Sequence, residues 1–496
     1  MKKNFFPAFF LVLLAAPALF AAAPSYNSQD AGNNPRGLAV GDLLGNGSEQ
    51  LAVANFGSPT FIGTAPPGAA SQNSNVQVFN YGSAGLALAA TIPTASSPRG
   101  LAVFDLTGKG RGDLLVTTYG AGLLQVFGKD GSGFVKEDEA PTGAMPVGVA
   151  AGTTRGGSTV FAAVADFGSN QVSLYPVANG KFGKRVDVAV DAGPVQLAVG
   201  NLGGAYHSIA VVCMGAGKID ILAPKSSDPS TYAVTSTLSL PSGSSPSDLR
   251  LADLNGDGKV DIVVADFANN NIQIFLQGAS GSFTAQAPLA TSGQHPNGLT
   301  VGDLDGDGKP EILAANRDSD SLDVFSLNGT QYQLTQTVSL GDGNKAGLGP
   351  VEVALLGSKG RGARLLATTH MRSNSLRTVT FELPTPTPDP AAGDSVKTAR
   401  PFSADTTYCY PNPVHGGPVK FHFDLIAPTQ VDIQVYDVTG TLVFSESLSP
   451  SQTMAGENNV DWNLQNQAGS ALASGTYVCR ISAEGQSVVR KVSVIH

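Results

Sequence analysis

Apolar positions along this chain come in short runs broken by turns. Many of the runs alternate apolar and polar, as in residues 271–275, and stretches rich in Gly, Asp, Ser and Pro separate them. Alternation with period two marks a half-buried strand, and no long stretch keeps the 3.6-residue period of an amphipathic helix. One phrase recurs: a proline, an alternating strand, a Gly-rich turn and a second apolar strand. Residues 296–315 are its clearest copy and 246–265 its neighbour; weaker copies start at Pro35, Pro98, Pro146, Pro194 and Pro350. The spacings from one proline to the next are 63, 48, 48, 52, 50 and 54 residues. A strand-rich period near fifty predicts seven units of a propeller or β-array.

Each unit has room for about four strands. In the sixth they fall at 299–301, 312–315, 322–327 and 332–340. The long first spacing reflects an insertion at 57–74, read as a surface loop. The seventh copy runs into prolines after residue 383 without a fourth strand. Residues 25–33 stand just before Pro35, where the other copies have their fourth strand, and are expected beside 376–383. An N-terminal strand there closes the ring and hides its edges.

Two of the turns carry chemistry. Asp253, Asn255, Asp257 and Asp261 stand at positions 1, 3, 5 and 9 of one; Asp303, Asp305, Asp307 and Glu311 do so in the other. Alternate oxygen-bearing side chains in a tight loop converge on one hard cation. Gly258 and Gly308 let the backbone turn, so that the carbonyls of Lys259 and Lys309 join them. Carboxylates crowded in this way repel one another without a cation. With no His or Cys in either loop, calcium fits better than zinc. An EF-hand needs an acid at position 12, where Val264 and Ala314 stand.

The matching turns elsewhere have lost ligands. They read Asp42, Leu44, Asn46, Gln50 in the first unit, Asp105, Thr107, Lys109, Asp113 in the second and Leu355, Gly357, Lys359, Ala363 in the seventh. The hairpin therefore forms without an ion, and the two expected calcium ions are structural. Lys109 and Lys359 stand where an ammonium would replace one. The phrases of the fifth and sixth units resemble the FG-GAP/VCBS repeat family, which includes the integrin α-subunit propeller and many bacterial surface proteins. The resemblance covers about residues 24–384 and implies a seven-bladed β-propeller, with calcium hairpins between the first two strands of a blade.

Composition narrows the function. The chain has 496 residues, a net charge of −9 and only 14% charged residues. No cluster of Lys and Arg offers the basic face that a nucleic acid needs. The length calls for at least two domains. Lys2 and Lys3, the apolar run 5–20 and three alanines after it read as a signal peptide at 1–23; no later segment is apolar enough to span a bilayer. Of three cysteines, Cys213 reads as a buried core thiol. Cys409 and Cys479 are expected close enough to bond.

The prolines from 384 open a stiff linker at 385–404, and 405–496 shows about seven short strands, a small β-sandwich. Its Pro411-Asn412-Pro413 opening, Val435-Tyr436-Asp437, the Asn459 to Trp462 segment and Ser474 to Tyr477 resemble two related modules. These are the Ig-like domain of the flagellar hook-capping protein and the C-terminal sorting domain of the type IX secretion pathway. The resemblance implies secretion sorting with surface attachment, or a passive accessory module.

No nucleophile elbow, phosphate loop or metal-protease histidine spacing is present. The tripeptide Arg111-Gly112-Asp113 is explained by the repeat, since Asp113 is position 9 of a turn. His295 and His370 lie at turns and read as solvated histidines; lining a rim site is the other reading. Asp166, Asp266 and Asp318, with Asn55 and His370, recur after the second strand, where turn capping explains them; a functional ring on one face is the other reading. The expectation is an all-β chain, a seven-bladed propeller followed by a small Ig-like sandwich, secreted or held at the cell surface. It would bind a glycan or an extracellular protein without catalysis, and its C-terminal domain would meet secretion or attachment machinery. The alternative is a carbohydrate-active lyase or hydrolase on the same scaffold.

Overall fold

The second strand of each repeat is the most apolar, and it is buried on both faces. Gln50–Asn55, Asp113–Thr118, Ser208–Cys213, Asp261–Asp266 and Glu311–Asn316 are buried at every position. Fourth strands alternate and are largely exposed, as in Gly85–Pro93 and Gly133–Pro141. A continuous apolar run thus marks the middle of a sheet, and alternation marks its rim.

These strands come from a computed structural model. It describes residues 25–57, 74–82, 85–131, 133–154, 159–226, 228–305, 308–341, 347–356 and 365–380. It further describes 402, 407–410, 414–415, 419–437, 441–454, 456–466, 470, 472–473, 475–483 and 485–495. The signal peptide expected at 1–23, most of the insertion at 57–74, the linker at 385–404 apart from Phe402, and Asp307, Gly357, Lys359, Ala363, Pro411, Asn412, Pro413 and Ser474 lie outside the described residues. The chain forms two compact units, Met1–Thr385 and Pro386–His496.

The first unit is a β-propeller of seven antiparallel sheets, each opening on one of the seven prolines. In the sixth blade the strands are Pro296–Gly302, Glu311–Asn316, Ser321–Asn328 and Gln331–Ser339. Blades three and five split the outer strand into two short pieces. The last blade is completed from the N-terminus. Ser25–Asp30 pairs antiparallel with Ser375–Thr380, Ser25 opposite Thr380 and Asp30 opposite Ser375. Residues 381–383 lie outside the described set.

Seven apolar clusters join each sheet to the next. Leu304, Leu313, Leu366 and Val379 join blade six to seven. Ala31, Leu51, Phe79, Leu356 and Leu376 join blade seven to blade one, which closes the ring. At the axis the first strands lie side by side. A Cβ on Gly37 would sit 2.1 Å from the carbonyl oxygen of Arg99, and one on Gly100 would sit 2.0 Å from that of Val147. Only glycine permits that approach.

The second unit packs a three-stranded sheet (Tyr408–Tyr410, Val419–Leu425, Gly456–Trp462) on a five-stranded one built around Val431–Tyr436, Gly475–Ala483 and Gln486–Ile495. Phe421, Phe423, Ile433, Trp462 and Ile481 fill the space between. Eight strands appear among the described residues, with Leu442–Leu448 added to those expected. Cys409 and Cys479 lie in opposite sheets, both as free thiols. They are within hydrogen-bond reach, a contact that pushes the Cys479 thiol strongly up together with its burial. Cys213 is fully buried in the propeller.

Candidate functional site

In four blades the loop between strands one and two folds the same way. The position-1 aspartate caps it. Asp253 accepts from the N–H groups of Gly256, Asp257 and Gly258 at 2.8–3.1 Å. Asp42 accepts from Asn46 and Gly47, Asp105 from Lys109 and Gly110, and Asp303 from Gly308. The position-9 group ties the loop base down. Asp261, fully buried, accepts from Leu254 at 2.9 Å and from Gln277 on strand three at 2.7 Å. Gln50, Asp113 and Glu311 accept from Leu43, Leu106 and Leu304 in the same manner. Positions 1 and 9 therefore serve the hairpin itself, with or without acids between them. Burial pushes the Asp261 carboxyl up and the two backbone donors pull it back.

Positions 3 and 5 set blades five and six apart. In blade six the carboxylates of Asp303, Asp305 and Glu311 offer oxygens within 4.8 Å of one another. Such a set suits a hard, oxygen-ligated cation. In blade five the acids do not converge in this way. Asp257 is turned onto Lys259, accepting from its N–H at 2.9 Å and its ammonium at 2.8 Å, and Asn255 accepts from the Asp257 N–H. Lys309 flanks the blade-six loop. Lys109 does not occupy the position of an ion: its ammonium reaches out to Glu137, 3.6 Å away.

A second constellation, foreseen in the sequence only as the alternative of a ring on one face after strand two, rings one mouth of the axial channel. In all seven blades the residue after strand two donates its N–H to the carbonyl of the residue before the blade proline. This fixes Phe56, Tyr119, Phe167, Met214, Phe267, Arg317 and Met371 at equivalent places. The residue after the proline stands beside them, and in blades one and two it is an arginine. The Arg36 guanidinium lies 5.8 Å from the centroid of Phe56, and that of Arg99 lies 5.5 Å from Tyr119. Phe56 and Tyr119 pack at 5.8 Å. Phe267 is held between Arg317, at 4.3 Å, and His295, stacked at 4.4 Å.

Arg317, His295 and Arg372 all bond Asp318, which holds that carboxylate well below its ordinary range. Arg36 and Arg99 have no carboxylate within ion-pair distance among the described residues. Burial and the neighbouring Arg99 and Arg317 bring the Arg36 guanidinium down to about 10, and burial lowers Arg99.

Deeper in the channel Arg250 bridges two acids, Asp248 at 2.5 Å and Glu352 at 3.7 Å. Burial, with Asp248 adding to it, pushes the Glu352 carboxyl up to about 8.

Two expectations are corrected here. His370 is not a solvated turn residue: it ends strand two fully buried, pairs with Thr368, and is pushed down to about 3 by burial. Asp318 is not the blade-six counterpart of Asp166 and Asp266. That place belongs to buried Asn316, and Asp318 lies two residues on, at the mouth. Asp266 does cap a turn, accepting from Ser244 and Ser245. The mouth was visible in the sequence only as a constant offset: an aromatic, Met or Arg stands twenty-one residues after each blade proline, or twenty in blade four.

Residues 253–314 match the FG-GAP-like repeat family, and residues 408–495 match the secretion system C-terminal sorting domain. The first match spans both acidic loops. The second marks the chain as one handled by a secretion machinery. Among curated proteins none matches the chain.

Several solved structures are similar in fold. BBS1N, solved in complex with ARL6DN, is 12% identical, with 75% of this chain and 99% of that one covered and a TM-score of 0.51. A protein from Lactobacillus plantarum is 16% identical over 65% of this chain and 87% of its own, TM-score 0.48. The periplasmic gluconolactonase PpgL of Pseudomonas aeruginosa is 18% identical over 62% and 86%, TM-score 0.47. At these identities the likeness is one of fold. No helix among the described residues is long and apolar enough to cross a membrane.

Proposed function

We propose that this is a secreted or surface-held binding protein, exported through the type IX pathway, whose propeller captures a glycan or protein partner at its channel mouth without converting it. One observation carries the reading: seven blades place their post-strand-two residue at equivalent points round one mouth, and the set is aromatic, thioether and guanidinium. Such side chains give contact area and orientation. The seven-bladed frame holds them at fixed places.

Calcium belongs to this reading as a structural ion. Asp253, Asn255, Asp257, Asp261 and the Lys259 carbonyl would hold one, and Asp303, Asp305, Asp307, Glu311 and the Lys309 carbonyl the other. The convergence of three carboxylates in blade six supports it. The C-terminal unit would hand the chain to its secretion machinery and to the surface.

The second reading, an extracellular carbohydrate-active enzyme, is favoured by one feature, the raised Glu352 carboxyl beside Asp248 in the channel. One experiment separates the two. The exported protein is screened against a glycan array and a panel of extracellular proteins, and in parallel for polysaccharide cleavage. Stoichiometric binding without cleavage supports capture; cleavage without stoichiometric binding reverses the assignment.

A further inference from the structure

The residues round the mouth are not evenly distributed. Blades six, seven, one and two follow one another in the ring, and they bring Arg317, Arg372, Arg36 and Arg99. Blades three and four bring Phe167, 36% exposed, Met145, 41% exposed, and Met214. One arc is cationic and the facing arc is apolar, on a chain whose net charge is −9.

Asp318 answers Arg317 and Arg372. Among the described residues Arg36 bonds the side chain of Asn34, and Arg99 lies over the Tyr119 ring with the more distant pull of Glu352, and neither meets a carboxylate within ion-pair distance. Like charges held together and half-buried, with no carboxylate beside them, are stabilised by an incoming anion. Each guanidinium also lies over an aromatic ring, 5.8 Å from the Phe56 centroid for Arg36 and 5.5 Å from that of Tyr119 for Arg99. A guanidinium offers a fork of donors that matches a planar, two-oxygen acceptor.

We propose that the mouth binds a uronate, the carboxylate-bearing sugar of an acidic polysaccharide, with its carboxylate on Arg36 and Arg99 and the apolar faces of adjoining sugars toward Phe167 and Met214. This rests on the reading of the propeller as a capture protein and names its ligand. A uronate suits the mouth better than an acidic peptide. Its carboxylate is fixed to a rigid ring with an apolar face, so ion pair and stacking form together with little loss of side-chain freedom.

The test uses the full exported chain in calcium-containing buffer. Calorimetry is run with a galacturonate trimer, the same trimer methyl-esterified, and an aspartate-rich peptide, and the trimer is analysed afterwards for cleavage. The expected result is binding of the acid trimer, at least tenfold weaker binding of the ester, and loss of affinity with rising salt. Arg36→Gln and Arg99→Gln should each weaken the acid trimer at least tenfold, as loss of a charge-assisted bond does. Lys136→Gln, on the outer strand of blade two, should not. Only variants that melt like the wild type are read, and Arg36→Gln, at a half-exposed position, serves if Arg99→Gln does not fold.

Equal binding of ester and acid, or full affinity in a folded arginine variant, overturns the proposal. So does a peptide that binds more tightly than the trimer with the same dependence on Arg36. If neutral glycans or a protein bind and the acid trimer does not, the uronate assignment falls and the capture reading stands. If the trimer is cleaved, the capture reading itself falls.

Discussion

Removing calcium with a chelator should lower the melting temperature of the wild-type propeller by about 7 °C. An ion that binds only the folded state adds about 2.7 kcal/mol when it stands about a hundredfold above its Kd, so two ions add about 5 kcal/mol. The described part of the first unit comes to about 320 residues; at about 2.1 cal/mol/K per residue its unfolding entropy is near 0.7 kcal/mol/K, which converts 5 kcal/mol to about 7 °C. The structure says which residues to change. Asp253 and Asp261 hold the hairpin together through backbone donors, so their loss damages the fold with or without calcium. Asp257 holds its near neighbours Lys259 and Asn255 in an exposed turn, and Asp305 belongs to the blade-six carboxylate set. Asp257→Ala and Asp305→Ala should each remove one ion and about half the shift, and the double variant should melt alike with and without chelator. Asp261→Ala should lower stability even in chelator, because it strands the N–H groups of Leu254 and Gln277, at about 1–3 kcal/mol each if buried and unpaired. Scanning calorimetry and a calcium titration read all four. A wild-type melting point unmoved by chelator, or a double variant that still binds two ions, would refute the reasoning.

Three other outcomes follow from the geometry. Glu352 keeps its proton to about pH 8 in the fold, against 4.5 ordinarily. The folded state therefore binds more protons, and stability falls as pH rises from about 4.5 to about 8. Glu352→Gln should flatten that decline in denaturant midpoints taken at pH 5 and pH 8, and an unchanged slope counts against the buried acid. Gly37→Ala pushes a Cβ to 2.1 Å from the Arg99 carbonyl oxygen and should cost about 1–3 kcal/mol. Gly133→Ala, with nothing within 4 Å, should stay within about 0.5 kcal/mol, and equal melting of the two variants contradicts close packing at the axis. Oxidation of Cys409 with Cys479 in an oxidising compartment closes a loop of roughly seventy residues and should stabilise the C-terminal unit by about 4 kcal/mol. Mass spectrometry showing both thiols alkylatable in the exported chain refutes the bond.

The repeat was legible in the sequence because its signals are local. A proline fixes the start of each first strand, an unbroken apolar run marks the buried second strand, and alternation marks the outer one. Counting strands then placed residues 25–33 beside 376–383, since a sheet edge left open is costly and only one segment was available to cover it; 25–30 pair with 375–380 in the fold. The acidic loops were legible as a ligand pattern but not as two kinds of residue. Nothing in the spacing of Asp253, Asp257 and Asp261 tells a carboxylate that caps a backbone from one that turns outward. The backbone N–H groups decide that, and they are placed only by the fold. Gln50 shows the point from the other side: it reads as a lost ligand, yet it makes the same bond as Asp261 does. His370 was misread because strand two runs three residues further than its apolar run Leu365–Ala367, which carries the imidazole inside.

The mouth was hidden for a different reason. Its residues share an offset from the blade proline and share no chemical type, so no motif search joins Phe56 to Met214 or Arg317. Ring closure gives the offset its meaning. Once seven sheets surround one axis, a fixed distance along the repeat becomes a fixed place at the channel mouth, and seven residues far apart in sequence become neighbours round one axis. Arg99 is then close enough to disfavour the charge on Arg36, although the two stand one full repeat apart in sequence. In such a fold, selection on a binding site can act on one offset in each blade while the buried second strands stay apolar. Function in this chain is therefore to be sought in the offsets where the blades differ, and the motif they share accounts for the frame.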